Sequence, residues 1–161
     1  MRRSRFERLA REHVGAVTAY ARALTNDRWL ADDAVQETFL RAWKYQDSFR
    51  GDGSYQGWLL RICRNAVVDQ ARRPGSERFD VLDEDRAGVG DHEDVIDLDH
   101  LLQSLPVAQR EVLTLCGVLG YDYETAADLL DVPVGTVRSR LSRARAGLAA
   151  CLEASRAAGA A

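Results

Sequence analysis

The segment that most constrains the fold of this chain runs from Tyr123 to Arg145, YETAADLLDVPVGTVRSRLSRAR. Its first half has apolar residues at helical spacing as far as Leu130. Pro133 then ends that helix, because proline has no amide donor and its ring clashes with the preceding turn. Proline is well tolerated at a helix start, so a second helix is predicted from about Val134. The sequence therefore predicts two short helices joined by a tight turn, a helix-turn-helix.

The two predicted helices each have a side that the spacing assigns to the core. The predicted core positions are Ala126, Ala127, Leu129, Leu130, Val137, Leu141, Ala144 and Leu148. Four arginines fall outside this set within eight residues: Arg138, Arg140, Arg143 and Arg145. A helix-turn-helix places such a second helix in the DNA major groove, with its first residues at the base edges. An ordinary helical hairpin with a solvated basic face is the alternative, and the combined pattern favours DNA binding.

Composition limits the remaining function classes. A chain of 161 residues with 46% hydrophobic content suits one domain or two small ones. No apolar run approaches the ~20 residues that span a membrane, and the first residues, MRRSRFERLAREH, lack a signal-peptide core. Cys63, Cys116 and Cys151 are widely spaced, as in a cytoplasmic protein with reduced thiols. We therefore expect a cytoplasmic protein without membrane contact.

Chemistry-bearing motifs are missing from the sequence. The three cysteines and the three histidines do not have metal-ligand spacing. There is also no Gly-rich phosphate loop and no nucleophile motif. The sequence therefore predicts a protein that is not an enzyme, with no cofactor, no metal and no catalytic residue.

The formal net charge of −3 divides unevenly along the chain. Residues 1–73 carry 14 basic and 9 acidic side chains, whereas residues 74–100 carry 2 basic and 10 acidic ones. Residues 101–161 carry 6 of each. The local distribution of charge, not its total, is the electrostatic signature of a nucleic-acid-binding protein. We therefore predict a basic module, an acidic connector and a module with one basic face.

Three helices are predicted in the first module. The first covers Arg5 to Leu24, and the second, Trp29 to about Tyr45, is predicted to bury Val35, Phe39 and Trp43, with Ala31 and Ala42 beside them. On its other face, Leu40 lies among polar residues and is poorly suited to water, which suggests a partner. The residues of that face are Asp33, Gln36, Glu37, Leu40, Arg41 and Lys44.

A loop with two aromatic residues precedes the third helix. Gln46 to Gln56 is rich in Gly, Ser and Asp, yet it contains Phe49 and Tyr55. The third helix, 57–73, has a predicted core stripe opposite a basic face that includes Arg61, Arg64, Asn65 and Arg72. Aromatic rings beside a positive helix face suit unstacked single-stranded DNA. Aromatics at helical spacing are usually core, and Trp29, Trp43 and most of Trp58 are predicted to be core here.

Three segments taken together resemble a known family. DDAVQETFLRAW (32–43), GWLLRICRNAVVDQARR (57–73) and LPVAQREVLTLCGVLGYDYETAADLLDVPVGTVRSRLSRAR (105–145) are similar to bacterial RNA polymerase sigma factors of the sigma-70 family, in particular the compact extracytoplasmic function (ECF) group. The resemblance implies an all-α fold of two small helical domains joined by a flexible acidic linker, the second a helix-turn-helix, winged-helix-like domain. The implied boundaries are 1–73, 74–100 and 101–161.

The resemblance also implies a function and its residues. A sigma factor binds core RNA polymerase through the clamp of its large subunit, and it directs initiation at the −10 and −35 elements of promoter DNA. The implied polymerase-docking residues are Asp33, Gln36, Glu37, Leu40 and Arg41. The implied −10 residues are Phe49, Arg50, Tyr55, Arg61, Arg64, Asn65, Arg72 and Arg73. The implied −35 residues are Thr136, Arg138, Ser139, Arg140 and Arg143.

The turn of the helix-turn-helix departs from the family pattern. Asp131 occupies a position where the family often has glycine. Aspartate tolerates the left-handed conformation better than most residues, so the motif is expected to survive the change.

The acidic connector is expected to be a disordered, flexible linker, because high charge and low hydrophobicity prevent a core. Promoter elements about 17 base pairs apart are separated by ~58 Å at ~3.4 Å per pair, and the contour limit of the linker is ~90 Å. The resemblance implies that it follows the RNA path through the polymerase, where its acids mimic nucleic acid.

Regulation and one alternative complete the expectations. The terminal Ala160 and Ala161 resemble a tag for ClpX-type proteases, although a frayed tail is the default interpretation. An anti-sigma factor is a further candidate partner. The alternative function is a stand-alone helix-turn-helix regulator, which would have no use for the polymerase-docking helix within residues 29–73.

Overall fold

The computed structural model describes residues 2–75 and 98–160. The chain forms two compact units, and each of these ranges belongs to one of them. Every regular element within the two ranges is a helix, so the all-α prediction is confirmed. The acidic linker falls mainly on 76–97, outside the described residues, and 98–100 already form the start of a helix.

Over residues 2–75, the first unit forms three long helices: α1 (Arg2–Leu24), α2 (Arg28–Lys44) and α3 (Tyr55–Ala71). A short 3-10 helix, Gln46–Ser48, follows α2. The Asp27 carboxylate accepts hydrogen bonds from the first amides of α2, and the Ser54 hydroxyl accepts one at the start of α3. Such caps satisfy amide donors that have no partner inside the helix. Because α3 begins at Tyr55, this residue is helical, although the sequence predicted it in the loop.

The core of the first unit is built differently from the prediction. α2 buries small residues, Ala31, Ala34, Thr38 and Ala42, whereas its large apolar residues lie at the sides or outside. Trp43 is 41% exposed and Trp29 is 82% exposed, so the prediction that both are core was wrong. Val35, Phe39 and Trp58 are half-buried. The small residues allow α2 to pack closely on α1 and α3, and this leaves no room for indole rings between the helices.

Within residues 98–160, the second unit forms four helices and a π-helical segment. They are α4 (Leu98–Gln103), α5 (Val107–Leu113), the π-helical Thr114–Val118, α6 (Tyr123–Leu130) and α7 (Val134–Gly159). All four core positions predicted in α6 are buried, as are Val137, Leu141 and Ala144 of α7, while Leu148 is half-buried. A winged-helix domain has a β-hairpin, the wing, beside its helices. Within residues 98–160 no strand follows the helix-turn-helix, so only the helical part of the predicted winged-helix-like fold is present there.

Two features of the second unit were not predicted. Arg110 and Glu111 of α5 are buried, and the Arg110 guanidinium donates to the backbone and side-chain oxygens of Gln103 at 3.2 and 3.1 Å. In addition, α7 continues through the Ala-rich end of the chain to Gly159, where a frayed tail was expected. Among the described residues, no helix is both long and apolar enough to cross a membrane.

Candidate functional site

The predicted docking residues of α2 divide between its outer face and its contact with α3. Gln36 and Leu40 are exposed, and Leu40 is 66% exposed. Asp33 is exposed as well, but its carboxylate accepts a hydrogen bond from the Gln70 amide at 2.6 Å. Arg41 turns towards α3, where its guanidinium contacts Asp69.

Arg41 lies at the centre of a small ionic network. It donates to Glu37 at 2.6 Å on its own helix and to Asp69 at 2.7 Å on α3. The hydrogen bond to Glu37, followed by that to Asp69, raises the pKa of the Arg41 guanidinium above its ordinary value. Arg41 therefore links α2 to α3 through Asp69, while Glu37 holds the Arg41 side chain on its own helix. Asp69 and Gln70 are supporting residues that the sequence pattern did not reveal.

A groove with apolar walls borders the outer face of α2. It has a volume of about 650 Å³ and lies between α1 and α2. Phe6 of α1 packs edge-to-face on Trp43 with ring centroids 5.1 Å apart, and Arg3 is ion-paired with Glu7 at 3.0 Å. The lining residues are Arg3, Phe6, Glu7, Gln36, Phe39, Leu40 and Trp43.

The aromatic residues around the 46–56 loop form one cluster. Phe49 and Tyr55 meet edge-to-face at 5.2 Å, and Trp58 contacts them at 5.5 and 5.3 Å. His13 of α1 reaches Tyr55 at 5.7 Å. Burial raises the pKa of the Tyr55 phenol above its ordinary value, and the nearby Arg5 cation opposes this shift only in part. Phe49 and Tyr55 thus form a supported aromatic wall.

The wall borders a pocket of about 250 Å³ that α1, the 3-10 helix and the loop share. Its lining mixes rings, a cation, an amide and a carboxylate. The lining residues are Arg5, Phe6, Leu9, Gln46, Asp47, Phe49 and Tyr55. Arg50, also predicted for this site, is exposed on the loop.

The basic face predicted for α3 lies opposite its core. At about 100° per residue, Arg61, Arg64, Asn65 and Arg72 fall within a sector of roughly 100°. Arg61, Asn65 and Arg72 are exposed, and Arg64 is half-buried. Arg73 is exposed just beyond the helix end. The structure therefore brings four of the five predicted side chains to one side of α3 and places Arg73 just beyond its end.

The helix-turn-helix has the local geometry that its sequence predicts. Asp131 adopts the left-handed conformation, with φ 54° and ψ 49°. The Val132 amide donates to the Ala127 carbonyl at 3.1 Å, and α7 begins directly after Pro133. At the start of α6, hydrogen bonds from the Thr125 backbone and then its side chain lower the pKa of Asp122 below its ordinary value. Residues next to each boundary therefore define the start of α6, its end at Asp131 and the start of α7.

Over its first half, from Gly135 to Ala146, α7 presents an outward crest, that is, an exposed face opposite its core, of small residues. Gly135, Ser139, Ser142 and Ala146 are all exposed, and at about 100° per residue they occupy a sector of roughly 60° opposite the buried face. Ser139 also donates to the Thr136 carbonyl at 3.0 Å. A helix with such a crest can approach another surface closely.

The arginines of α7 lie along both edges of that crest. By the same rotation of about 100° per residue, Arg138 and Arg145 fall on one edge, and Arg140 and Arg143 on the other. Arg138, Arg143 and Arg145 are exposed, whereas Arg140 is half-buried, as is Thr136 on its edge. The predicted −35 residues are therefore spread over two edges and the crest between them, and no single face holds them all.

Comparison with known proteins identifies a family for both units. Residues 9–77 match the model of Sigma-70 region 2, and residues 96–148 match that of Sigma-70 region 4. The ECF RNA polymerase sigma factor SigC of Mycobacterium tuberculosis is 37% identical over 156 residues, which cover 86% of this chain and 84% of that protein. SigE of Mycolicibacterium smegmatis, also an ECF RNA polymerase sigma factor, is 35% identical over 87% of this chain, and the chain spans 58% of its length.

Solved structures agree with this assignment. The sigma factor RpoE of Bartonella quintana, in complex with the anti-sigma factor NepR, superposes with a TM-score of 0.76 at 32% identity, over 92% of this chain and 96% of that one. CnrH, in complex with the cytosolic domain of CnrY, gives a TM-score of 0.67 at 30% identity, over 92% and 88% of the two chains.

Proposed function

Because the chain belongs to the sigma-70 family of RNA polymerase sigma factors, in its extracytoplasmic function group, we propose that it directs core RNA polymerase to promoters by binding alone. The first unit binds the polymerase and the single-stranded −10 element, and the second reads the −35 duplex. The observation that carries this proposal is the presence of both family regions in one chain, in order.

Polymerase docking is assigned to the outer face of α2, with Asp33, Gln36 and Leu40 in direct contact. Leu40 supports this assignment, since a leucine that is 66% exposed stabilises a complex in which a partner covers it. Glu37 and Arg41 belong to the same docking region; the ion pair of Arg41 with Asp69 joins α2 to α3, and that with Glu37 lies within α2. The partner is the clamp of the polymerase large subunit.

Run-off transcription with purified core polymerase tests this function. We expect discrete transcripts from native promoter fragments, and we expect them to disappear with Leu40→Arg, which adds a charge to the docking face. A substitution at Leu40 tests docking without disturbing the fold. Charge reversal at Asp33 or Glu37 would also break the hydrogen bond to Gln70 or the ion pair with Arg41, respectively. Val14→Arg, at an exposed apolar position of α1, is the matched control. Without transcripts, tight duplex binding would support a stand-alone regulator instead.

The −10 element is assigned to the aromatic pocket and the basic face of α3. Stacking is worth roughly 1–3 kcal/mol per base, and arginines hold the phosphates of a single strand. Phe49 and Tyr55 support the assignment as one wall of a pocket of about 250 Å³, which is large enough for a flipped base. Arg50 reaches the strand from the loop. Arg61, Arg64, Asn65, Arg72 and Arg73 flank its path.

Promoter opening measured by permanganate reactivity tests the −10 assignment. Asn65→Ala combined with Arg72→Ala removes two exposed polar side chains without touching the aromatic cluster, and we expect it to reduce opening. Arg22→Ala removes an exposed arginine from α1 and is the control. Full opening by the double variant would contradict this assignment.

The −35 element is assigned to α7 in the major groove. The crest of small residues lets the backbone of α7 come close to the base pairs in the groove. The arginines on either side of the crest can then contact the phosphates of the two strands, or a guanine between them. Thr136, Ser139, Arg138, Arg140 and Arg143 are the assigned contacts.

Filling the crest tests how α7 binds. We expect Ser142→Leu to weaken duplex binding, because the added side chain keeps the helix out of the groove. Ala157→Leu adds similar bulk at an exposed position of the same helix, roughly 22 Å further along at 1.5 Å per residue, and it should leave DNA binding unchanged. Equal affinities of the two variants would refute this orientation.

Regulation by an anti-sigma factor is part of the proposal. Two structural neighbours were solved in complexes, one with an anti-sigma factor and the other with the cytosolic domain of CnrY. A partner of this kind would cover Leu40 and other exposed apolar residues and so keep the protein from the polymerase. The protein is proposed to act in the cytoplasm, and its acidic connector is proposed to mimic nucleic acid inside the polymerase.

A degradation signal at Ala160 and Ala161 is a separate proposal. Ala160 follows the last residue of α7, while Ala161 lies outside the described residues. The last buried residue of α7 is Ala144, so little packing opposes unwinding of its final turns by a ClpX-type unfoldase. Replacing both alanines with aspartate should lengthen the lifetime of the protein in cells, and an unchanged half-life would refute the signal.

A further inference from the structure

Three exposed arginines form a row along the first turns of α1. Arg5, Arg8 and Arg11 are spaced three positions apart, so neighbouring members have Cβ atoms about 5–6 Å from each other. At about 100° per residue, each member is turned roughly 60° around the helix from the one before. Arg11 lies on the side of α1 opposite the buried Tyr20. The arginine row therefore winds from Arg5 to the face of α1 that points away from the core.

The first member of the arginine row belongs to the aromatic pocket. Arg5 lines the cavity of about 250 Å³ together with Phe49 and Tyr55. Tyr55 is the first residue of α3, and the basic face of that helix begins six residues later, at Arg61. The pocket therefore adjoins a basic surface on each of two helices, the arginine row on α1 and the basic face on α3.

The rest of the arginine row is available to an anionic partner. Neither Arg8 nor Arg11 is ion-paired with a described side chain of the first unit. Of the two acids in α1, Glu7 already accepts a hydrogen bond from Arg3 at 3.0 Å, while Glu12 is exposed one turn beyond Arg8. The three arginines thus outweigh the one exposed acid beside them, and guanidinium groups of this kind bind phosphate strongly.

A base held in the pocket would bring phosphates to both basic surfaces. The backbone of a flipped nucleotide continues in two directions, with a phosphate on each side of its sugar. If the strand follows α3 in one direction, it passes over the first turns of α1 in the other. Arginines that are neighbours on a helix surface can hold successive phosphates of such a strand, because single-strand sites combine aromatic stacking with a basic path for the backbone.

We propose that Arg8 and Arg11 continue from Arg5 as a second phosphate-binding surface, which holds the single strand whose base occupies the aromatic pocket on the side away from α3. This inference rests on the proposed function and adds a helix to the −10 site that neither the sequence pattern nor the assigned residues included. Contacts to phosphate position a strand without reading its bases. The arginine row should therefore strengthen binding to promoters of different sequence by similar factors.

The salt dependence of DNA binding tests the proposal. The sample is the holoenzyme of core polymerase and the full chain, bound to a promoter fork whose −10 element is a single-stranded extension. Each phosphate contact with a single strand contributes about 0.7 to the slope of log K against log salt concentration, so Arg8→Ala with Arg11→Ala should reduce the slope by about 1.4. Arg22→Ala removes an exposed arginine of α1 roughly 17 Å beyond Arg11 and should leave the slope unchanged. An unchanged slope in the double variant would refute the arginine row as a phosphate site.

A second DNA shows whether the arginines meet the single strand. On a duplex that ends before the −10 element, the double variant should bind as tightly as the parent chain. Equal losses on the duplex and on the fork would overturn the proposal, because the arginines would then contact duplex DNA or the polymerase itself.

Two further variants separate charge from structure. Arg8→Lys with Arg11→Lys should keep most of the slope, because lysine also neutralises a phosphate. Glu12→Gln removes the exposed acid beside the arginine row and should tighten binding to the fork. A loss with lysine as large as that with alanine, or weaker binding with Glu12→Gln, would contradict an electrostatic role. Unchanged circular dichroism and melting temperature confirm that each variant is folded.

The arginine row and the proposed function can fail separately. If Asn65→Ala with Arg72→Ala abolishes promoter opening while the Arg8 and Arg11 variant keeps the parent slope, the −10 assignment stands and the arginine row is refuted. If opening survives the first variant and the slope falls with the second, α1 holds the strand and the assignment to α3 fails. If the holoenzyme makes no transcript, the slope of the free chain on a single-stranded oligonucleotide decides the arginine row by itself.

Discussion

α2 of the first unit and α7 of the second solve opposite packing problems. α2 buries small residues such as Ala34 and Ala42 and exposes Trp29 and Leu40, whereas α7 buries Leu141 and exposes small residues. Covering large exposed apolar side chains with a protein partner lowers the free energy, because apolar surface is removed from water. A crest of small residues with arginines on both edges instead suits a deep, negatively charged groove. The size of the exposed side chains, and not only their charge, therefore distinguishes the two kinds of surface.

The same substitution on the two helices gives the largest expected contrast. Leu141→Ala should lower the free energy of unfolding by about 2–5 kcal/mol, because it leaves a cavity in the second unit. Leu40→Ala should change it by at most about 0.5 kcal/mol, since the side chain is mostly in water, yet it should weaken polymerase binding. Denaturant unfolding and core-binding titrations measure the two effects. Similar stability losses would invalidate the comparison.

Gly147 and Gly135 lie on the packed and the exposed side of α7, so side chains added there should have opposite effects on stability. A Cβ at Gly147 would lie 2.8 Å from Leu105 Cδ2, whereas one at Gly135 would meet nothing within 4 Å. Gly147→Val should therefore destabilise the second unit by about 1–3 kcal/mol, and Gly135→Ala should stabilise the helix by up to about 1 kcal/mol. Thermal unfolding of the two variants and the parent chain gives the answer. A stabilising Gly147→Val would show that α4, α5 and α7 are less tightly packed than described.

The turn between α6 and α7 gives a smaller effect. Asp131 has a positive φ of 54°, which glycine adopts without steric cost. Asp131→Gly should raise the free energy of unfolding by a few tenths of a kcal/mol, because relief of strain is partly offset by the greater entropy of the unfolded glycine. Asp131→Val should lower it by about 1–2 kcal/mol. If valine were tolerated as well as glycine, the turn geometry would be wrong.

The smallest effect concerns pH and the π-helical segment next to α6. Burial raises the pKa of the Cys116 thiol above its ordinary value, and Arg145 partly opposes this shift. The folded protein therefore favours the neutral thiol. Its stabilising contribution is fully present below the pKa of the unfolded chain and is lost as the pH rises through the higher folded pKa. The pH dependence of unfolding in Cys116→Ser, compared with the parent chain, measures this contribution, and identical alkaline profiles would contradict it.

Local patterns explain why the second unit was the easier of the two to predict. Pro133 fixes the boundary of α7, and single stripes of apolar residues determine the buried faces of α6 and α7. Asp131 was expected to tolerate a left-handed turn, and it adopts one. Arg110 and Glu111 were not predicted to be buried, because local spacing gives no indication that partners such as Gln103 are within reach.

The sequence by itself determined the three long helices of the first unit, the helix-turn-helix and the family, since these depend on spacing, helix breakers and local motifs, whereas α4, α5 and the π-helical segment were not predicted. Only the tertiary structure decided which face of α2 is buried. Both faces of that helix carry apolar residues, and the close approach of three helices selects Ala34 and Ala42 over Trp29 and Trp43. For the same reason, only the packed unit shows that Arg41 holds α2 on α3 while Leu40 remains available to a partner.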